Sequence, residues 1–188
     1  MSTNSIALLA LLALLVFWSV GAYNRLVRQK NLITEAFGAV DHQFKDRHDL
    51  ILKLVEAAGE YLQHDRVALD DLMQARSTVS SAHDAARSRP SSARLELALM
   101  AAEQQLQVQF SAFWEAATAT LAVLGDPKVR ELGQQLATTQ SKLAFACQAF
   151  NLSVTNFNAA QRQFPTLLVA RLFGFAPAIA LRMGEGSA

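Results

Sequence analysis

An uncharged apolar segment near the N-terminus constrains this chain more than any other feature. It runs from Ile6 to Tyr23, and at 1.5 Å per residue its helix would measure about 27 Å, close to the ~30 Å hydrocarbon layer of a bilayer. Trp18 and Tyr23 lie at its C-terminal end, where amphipathic rings prefer the level of the lipid headgroups. We therefore expect residues 1–23 to form a transmembrane anchor.

This segment has two other interpretations. Val20-Gly21-Ala22 resembles the cleavage site of a signal peptide, but the preceding MSTNS lacks the basic residue with which signal peptides begin. A helix buried in a soluble core would also be apolar, although an N-terminal segment that is apolar on all sides is not typical of one. The residues favour a retained anchor.

Basic residues follow the anchor, whereas none precedes it. They are Arg25, Arg28 and Lys30, and the positive-inside rule therefore favours a single-pass protein of the plasma membrane with the remaining chain in the cytoplasm. A location on the periplasmic side is the alternative, because an exported domain agrees with the cleavage-like sequence and the N-terminal amine weakens the charge argument.

The composition fits one soluble domain of about 140 residues behind the anchor, large enough for its own core. Lys and Arg number 17 against 16 Asp and Glu, and the two signs are interspersed. A nucleic-acid-binding protein would show a basic face, so this class of function is excluded. The single cysteine, Cys147, excludes an internal disulfide and a cysteine-based metal site, and its place in an apolar seam predicts a core side chain.

A first long helix is predicted from residues 24 to 63, continuous with the anchor. Its apolar residues recur at intervals of three, four or seven, as in the seam of a coiled coil. They are Leu26, Ile33, Phe37, Val40, Phe44, Ile51, Leu54, Ala58 and Leu62. Arg47 interrupts the seam, either as the ion-pair partner of Asp41, Glu35 or a carboxylate on another helix, or with its stem lying along the seam and its charge in water.

Three more helices are predicted near residues 66–88, 92–124 and 127–163. Asp65 is expected to cap the second helix, and Ser91 or Ser92 the third, after a turn at Pro90.

The junction Gly125-Asp126-Pro127 combines a helix stop with a helix start, so we expect the third and fourth helices to be antiparallel neighbours. The predicted fold is all-α: an N-terminal transmembrane helix continuous with a long antiparallel four-helix, coiled-coil-like bundle over residues 24–163.

The C-terminal tail, residues 164–188, is apolar but interrupted by proline and glycine. We expect it to mediate assembly or membrane contact, and the alternative is that it folds back on its own bundle. The candidate residues for assembly are Leu168, Leu172, Phe173, Phe175 and Ile179.

Short motifs spread over nearly the whole chain share their order and spacing with one family. They are Tyr23-Asn24, Glu35-Ala36-Phe37, Arg47-His48-Asp49-Leu50-Ile51, Ala75-Arg76, Phe150-Asn151, Asn158, Phe164-Pro165 and Phe173-Gly174-Phe175. Together they resemble the LemA proteins of bacteria. The chain departs from that pattern at Leu52-Lys53, where the family usually has Pro-Asn, and at Gln140, Cys147 and Phe150, where it usually has Glu, Arg and Tyr.

The resemblance implies a single-pass protein of the bacterial inner membrane with a long-helix bundle and no assigned reaction or cofactor. Relatives are often encoded beside membrane zinc proteases, and one belongs to magnetosome membranes. Membrane organisation or envelope quality control is the implied role.

Residues with catalytic potential form no recognisable constellation. The four histidines lack metal-binding spacing, and neither a nucleophile motif nor a phosphate-binding glycine loop is present. We expect no enzyme, no cofactor and no metal site. Six carboxylates were expected on a solvated face: Asp41, Asp46, Asp49, Asp70, Asp71 and Glu103.

Two classes of function remain. The first is a homo-oligomeric membrane scaffold whose partners are the lipid bilayer and other copies of the chain, and the abundant apolar surface favours it. The second is an adaptor that presents clients to a membrane protease or another membrane partner. A small-molecule sensor is a weaker third, since no polar pocket is legible in the sequence.

Overall fold

The computed structural model describes residues 3–59, 66–119, 123 and 125–181. Within these ranges the chain forms five helices and no strand, which confirms the all-α fold. The helices are α1 (Thr3–Gly59), α2 (Arg66–Ser88), α3 (Ala93–Thr118), α4 (Pro127–Arg162) and α5 (Thr166–Leu172). The predicted cap Asp65 lies outside the described residues.

Helix α1 is unbroken for 57 residues and confirms that the apolar N-terminal segment and the first bundle helix are one continuous helix. At 1.5 Å per residue it is about 85 Å long. Only 6% of its most apolar 18-residue window is buried, so this part lies outside the apolar core of the described residues. By length and composition it is the one candidate membrane span among the described residues, a property that signal sequences share.

The closest helix packing joins α1 to α4 and α2 to α3. The rings of Phe37 on α1 and Phe150 on α4 meet edge to face at 5.7 Å. The buried apolar side chains of the helices form one core. Its largest fully buried side chains are Phe37, Phe44, Phe113, Phe150, Phe157, Leu26, Ile33, Leu54, Leu72, Leu99, Leu106 and Leu143.

The predicted close pairing of α3 with α4 is corrected, since α4 packs most closely on α1 and approaches α3 less closely. Helix length explains the difference. The helices α1 and α4 have the longest apolar seams, and pairing them buries more side chains than pairing either with α2 or α3, which have 23 and 26 residues.

The junction before α4 was predicted only in part. Asp126 caps α4, accepting hydrogen bonds from the backbone N–H groups of Lys128 (2.7 Å) and Val129 (3.4 Å), and proline follows at the first helical position. However, α3 already ends at Thr118, and Gly125 does not adopt the positive φ of a glycine helix stop. The predicted end at residue 124 is therefore wrong for α3, although residues 123 and 125 are again helical. Ser92 occupies the N-cap of α3, but its side chain makes no capping hydrogen bond.

The tail folds back on its own bundle, as the alternative predicted, and its role in assembly or membrane contact stays a prediction. After α4, the short helix α5 packs against α1 and α4, and Gly174 turns the chain with a φ of +67°. From there to Leu181 the chain is irregular and lies along α4.

Two leucines of α3 test this core. Leu106 is 1% exposed and Leu97 is 52% exposed. We expect Leu106→Ala to lower the free energy of unfolding by about 2 to 5 kcal/mol, because it removes buried methyl groups and leaves a cavity. The matched control Leu97→Ala should cost under about 0.5 kcal/mol. Urea unfolding followed by circular dichroism measures both, and equal losses would contradict the assigned orientation of α3.

Candidate functional site

A buried ion pair joins the two helix pairs of the bundle. The Arg47 guanidinium on α1 donates to the Glu103 carboxylate on α3, and both side chains are less than a tenth exposed. Gln140 on α4 accepts from the same guanidinium at 3.5 Å, and the Phe44 ring lies 5.4 Å from its carbon. Of the alternatives for Arg47, a partner on another helix is therefore the one observed.

The burial of Glu103 contradicts the prediction of a solvated carboxylate. It lies between Leu99 and Leu106 on the apolar stripe of α3, and the charge of Arg47 compensates its loss of water. Burial raises the pKa of Glu103, but the facing His48 and Arg47 outweigh it and hold this pKa below its ordinary value. The Nε2 atom of His48 lies 3.7 Å from Glu103 Oε1.

Asp41 also departs from the prediction, because only 17% of its side chain is exposed and it faces α2. Its Oδ1 atom lies 3.3 Å from Nε2 of His83, and its Oδ2 atom accepts from Lys45 at 2.8 Å. His83 packs between the rings of Phe37 and Phe44, with centroids 5.9 and 4.8 Å away. Burial lowers the pKa of His83, against the attraction of Asp41. Of the other four carboxylates, Asp49, Asp70 and Asp71 are exposed, as predicted, and Asp46 is half-exposed.

Glu96 is a fully buried carboxyl group near the start of α3. Neither of its oxygens has a hydrogen-bond partner among the described residues, and burial raises its pKa to about 8. Cys147 on α4 is also buried, as predicted, and burial raises the pKa of its thiol to about 12. The thiol is therefore a core side chain that stays protonated at neutral pH. We call Asp41, Arg47, His48, His83, Glu96 and Glu103 the polar core.

The polar core links helices rather than forming a recognisable reaction centre. Its ion pairs bring together side chains from α1, α2 and α3, with Gln140 of α4 beside them. Across the part of the chain that the structure describes, no three His, Cys, Asp or Glu side chains are grouped to hold a metal ion.

A second constellation lies on α4, where three side-chain amides hold the tail. Asn151 donates to the carbonyl of Leu181 (2.9 Å) and accepts from its N–H (2.8 Å). Asn158 makes the same pair of bonds with Ala178, at 2.8 and 3.0 Å. Gln161 donates to the carbonyl of Ala176 at 3.1 Å. We call these three amides the amide clamp.

Sequence reasoning singled out two members of the amide clamp and missed the third. Asn151 and Asn158 were motif residues without a known contact, and the structure explains both. Gln161 is 6% exposed and follows the seam residue Val154 by seven. A polar residue at a position where the seam requires an apolar one was the available signal.

Aromatic contacts tie the tail to the end of the apolar N-terminal segment of α1. Trp18 lies 5.6 Å from Phe164, and Tyr23 lies 5.0 Å from Phe173 and 5.8 Å from Phe175, measured between ring centroids. Four large tail side chains remain more than half exposed, and we call them the apolar foot: Phe164, Leu168, Leu172 and Phe173.

The other candidate residues are dispersed. Asn24 and Asp49 are exposed, and Arg76 is half-buried on α2 without a hydrogen bond or ion pair to the polar core. Phe175 and Ile179, predicted as assembly residues, are half-buried. Pro165 precedes α5 and occupies its N-cap position.

The fold and these contacts define a class: a helical bundle that continues from an exposed apolar N-terminal helix, with a polar core and a clamped tail. The family model described as LemA family matches residues 36–188, and the chain belongs to this family. The match confirms the resemblance read from the motifs. No curated protein matches the chain.

The pH dependence of stability tests Glu96. Its pKa is about 8 in the folded protein and 4.5 ordinarily, so between these values the folded chain holds a proton that the unfolded chain has lost. The contribution of Glu96 to stability is therefore complete below about pH 4.5 and declines as pH rises to about 8. We expect Glu96→Gln to raise the melting temperature more at pH 8.5 than at pH 5.5.

His83 makes stability rise with pH, because its pKa is lowered. It is present in both the wild-type protein and the Glu96→Gln variant, so its effect cancels when the two are compared. The control Glu115→Gln changes an exposed carboxylate of the same helix and should give equal shifts at both pH values. Equal shifts for Glu96→Gln as well would show that Glu96 is ionised in the fold.

The amide clamp is tested by Asn158→Ala, which leaves the N–H and C=O of Ala178 without their partner. At about 1 kcal/mol for each hydrogen bond, hydrogen exchange of the Ala178 amide should accelerate roughly 30-fold. Mass spectrometry of peptides covering residues 174–181 measures it. The control Asn156→Ala removes an exposed amide of α4 and should leave the rate unchanged. Equal rates in the two variants would mean that Asn158 does not hold the tail.

Proposed function

We propose that this protein is a membrane-anchored helical scaffold of the bacterial inner membrane that assembles with further copies of itself. Its role is membrane organisation or envelope quality control. The observation that carries the proposal is an outward face of α4 that has no charge and exposes large apolar side chains.

The charge-free segment of α4 runs from Leu143 to Gln161, with Lys142 and Arg162 at its two ends. Phe145 and Leu152 lie within it, one heptad apart, and are 74% and 63% exposed. Interface cores are depleted of charged residues and enriched in aromatic ones, whereas solvated helix faces usually carry charges. This face therefore has the composition of an interface that a single copy leaves uncovered.

Another copy inserted in the same membrane is the partner that this face would meet. Because α1 continues from the anchor without a break and α4 packs along it, every inserted copy would hold its α4 at the same height above the bilayer. Copies with the same orientation would need only to diffuse laterally and rotate for their faces to meet. A symmetric ring or dimer with its axis along the membrane normal satisfies this geometry.

We place the bundle on the cytoplasmic side, because Arg25, Arg28 and Lys30 follow the anchor. Protease added outside spheroplasts should then leave the bundle intact, and in lysed cells it should digest it. Digestion in intact spheroplasts would assign the bundle to the periplasm without affecting the scaffold itself.

Self-association is tested by Leu152→Lys, which places a charge in the centre of the charge-free face. Burying an unpaired ammonium group is unfavourable, so we expect the oligomer of detergent-extracted protein to dissociate while its helical content stays constant. Light scattering coupled to size exclusion measures the mass, and circular dichroism measures the helix. The matched control Val108→Lys adds the same charge at a 56% exposed position of α3 and should leave the oligomer intact.

One outcome would contradict the assigned interface, and another would contradict the scaffold. An unchanged mass for Leu152→Lys would mean that this face is not the interface. A monomeric wild-type protein that co-purifies with one membrane partner would instead support the adaptor.

A further inference from the structure

We infer that the apolar foot and the anchor together bind the acyl chain of a bilayer phospholipid. The inference rests on the proposed membrane anchoring, and it adds a lipid site built from residues at opposite ends of the sequence.

The site is a groove of about 440 Å³ along the anchor. Phe173 of the tail forms one wall, and the anchor forms the other with Leu12, Leu15, Val16, Ser19, Val20 and Tyr23. Ser19 is the one lining residue with a polar side chain besides the Tyr23 phenol, and its hydroxyl already donates to the Leu15 carbonyl at 2.8 Å. Such a lining suits a hydrocarbon chain rather than a peptide, whose backbone would need hydrogen-bond partners.

The position of the foot indicates that lipid, not water, covers it. Phe164 contacts Trp18, which is five residues, or about 7.5 Å along the helix axis, on the membrane side of Tyr23. If Tyr23 lies at the headgroups, the Phe164 ring is at the depth of the acyl chains. The groove extends deeper still, because Leu12 is about 16 Å from Tyr23 along the axis.

The backbone of the foot is suited to that depth. A chain in hydrocarbon must satisfy its polar groups internally. The N–H groups of Leu167, Leu168 and Phe173 donate to carbonyls within residues 163–169 at 2.9 to 3.0 Å. The N–H of Phe175 donates to the Ala170 carbonyl at 2.9 Å. These bonds remove much of the cost of immersing the segment.

Basic side chains near the groove suit the phosphate in the headgroup of a lipid. Arg28, Lys30 and Arg171 are exposed, and Arg25 donates to Gln163 at 2.8 Å where the tail leaves α4. These cations lie close to the headgroup level set by Tyr23 and reach phosphate oxygens without burial. One phospholipid would place its acyl chain in the groove and its phosphate beside these basic residues.

The first experiment locates the foot in liposomes of phosphatidylcholine and phosphatidylglycerol. The full chain carries Cys147→Ala and one nitroxide-labelled cysteine, introduced as Leu172→Cys, Leu11→Cys or Val108→Cys. Electron paramagnetic resonance compares collisions with oxygen, which concentrates in lipid, and with a water-soluble nickel complex. We expect the labels at positions 172 and 11 to meet oxygen and the label at position 108 to meet nickel.

The three labels separate the possible failures. If the label at position 172 meets nickel while the label at position 11 meets oxygen, the lipid contact of the apolar foot is overturned and the proposed anchoring is unaffected. Nickel access at both overturns the proposed anchoring. A label at position 172 that is shielded from both probes shows that another copy covers the foot, and it overturns the lipid site.

The second experiment fills the groove. Val16→Trp places a large ring among the lining residues, whereas Leu14→Trp places the same ring on a 66% exposed part of the anchor outside the groove. With spin-labelled phosphatidylglycerol in the liposomes, Val16→Trp should lose part of the motionally restricted lipid signal and Leu14→Trp should retain it. Equal signals from the two variants overturn the acyl-chain site.

Discussion

The absence of any break in α1 is the constraint on which the other parts of the molecule depend. An apolar helix and a bundle helix joined by a flexible linker would move independently, whereas here one helix of 57 residues holds both. Everything that packs on its second half is thereby fixed relative to the first half. Because α4 runs back along α1, its C-terminal end returns to the apolar N-terminal part of α1, and the tail emerges beside Trp18 and Tyr23.

Buried charges add a second kind of order to this bundle. Apolar seams that repeat every seven residues are satisfied almost equally well after one helix slides by a heptad, so hydrophobic burial alone sets the register poorly. The pair of Arg47 with Glu103 changes that, because a slide would leave both charges buried and unpaired. Glu96 is different, since neither of its oxygens has a partner among the described residues and burial raises its pKa to about 8. Helix α3 therefore carries one buried carboxylate that favours a single register, Glu103, and another that is buried at a cost in stability, Glu96.

The sequence predicted those features that depend on local signals. The end of α2, the start of α4 and the continuity of α1 follow from proline, aspartate capping and helical periodicity, which act within a few residues. The burial of Asp41 and Glu103 was not predictable in this way, because their partners His83 and Arg47 lie far away in the sequence. The early end of α3 and the pairing of α1 with α4 likewise depend on how whole helices share their apolar surface. Among the candidate site residues, Asn151 and Asn158 were identified from the motifs, but their hydrogen bonds to the tail were not predicted.

The amide clamp has a consequence for the length of the tail. Asn151 and Asn158 are seven residues apart, about 10.5 Å along α4, and the residues they bind, Leu181 and Ala178, are three apart, about 10 Å in an extended chain. The two spacings match in length and run in opposite directions, so α4 sets the spacing of the tail segment beside it. The amides contact only backbone atoms, and they are indifferent to which side chains the tail carries. A single inserted residue would shift one bound position by about 3.3 Å and break the match, whereas exchange of side chains at those positions would not. The amide clamp therefore specifies the number of residues between the two bound positions. Substitutions in the tail are compatible with it, whereas insertions and deletions between these positions are not.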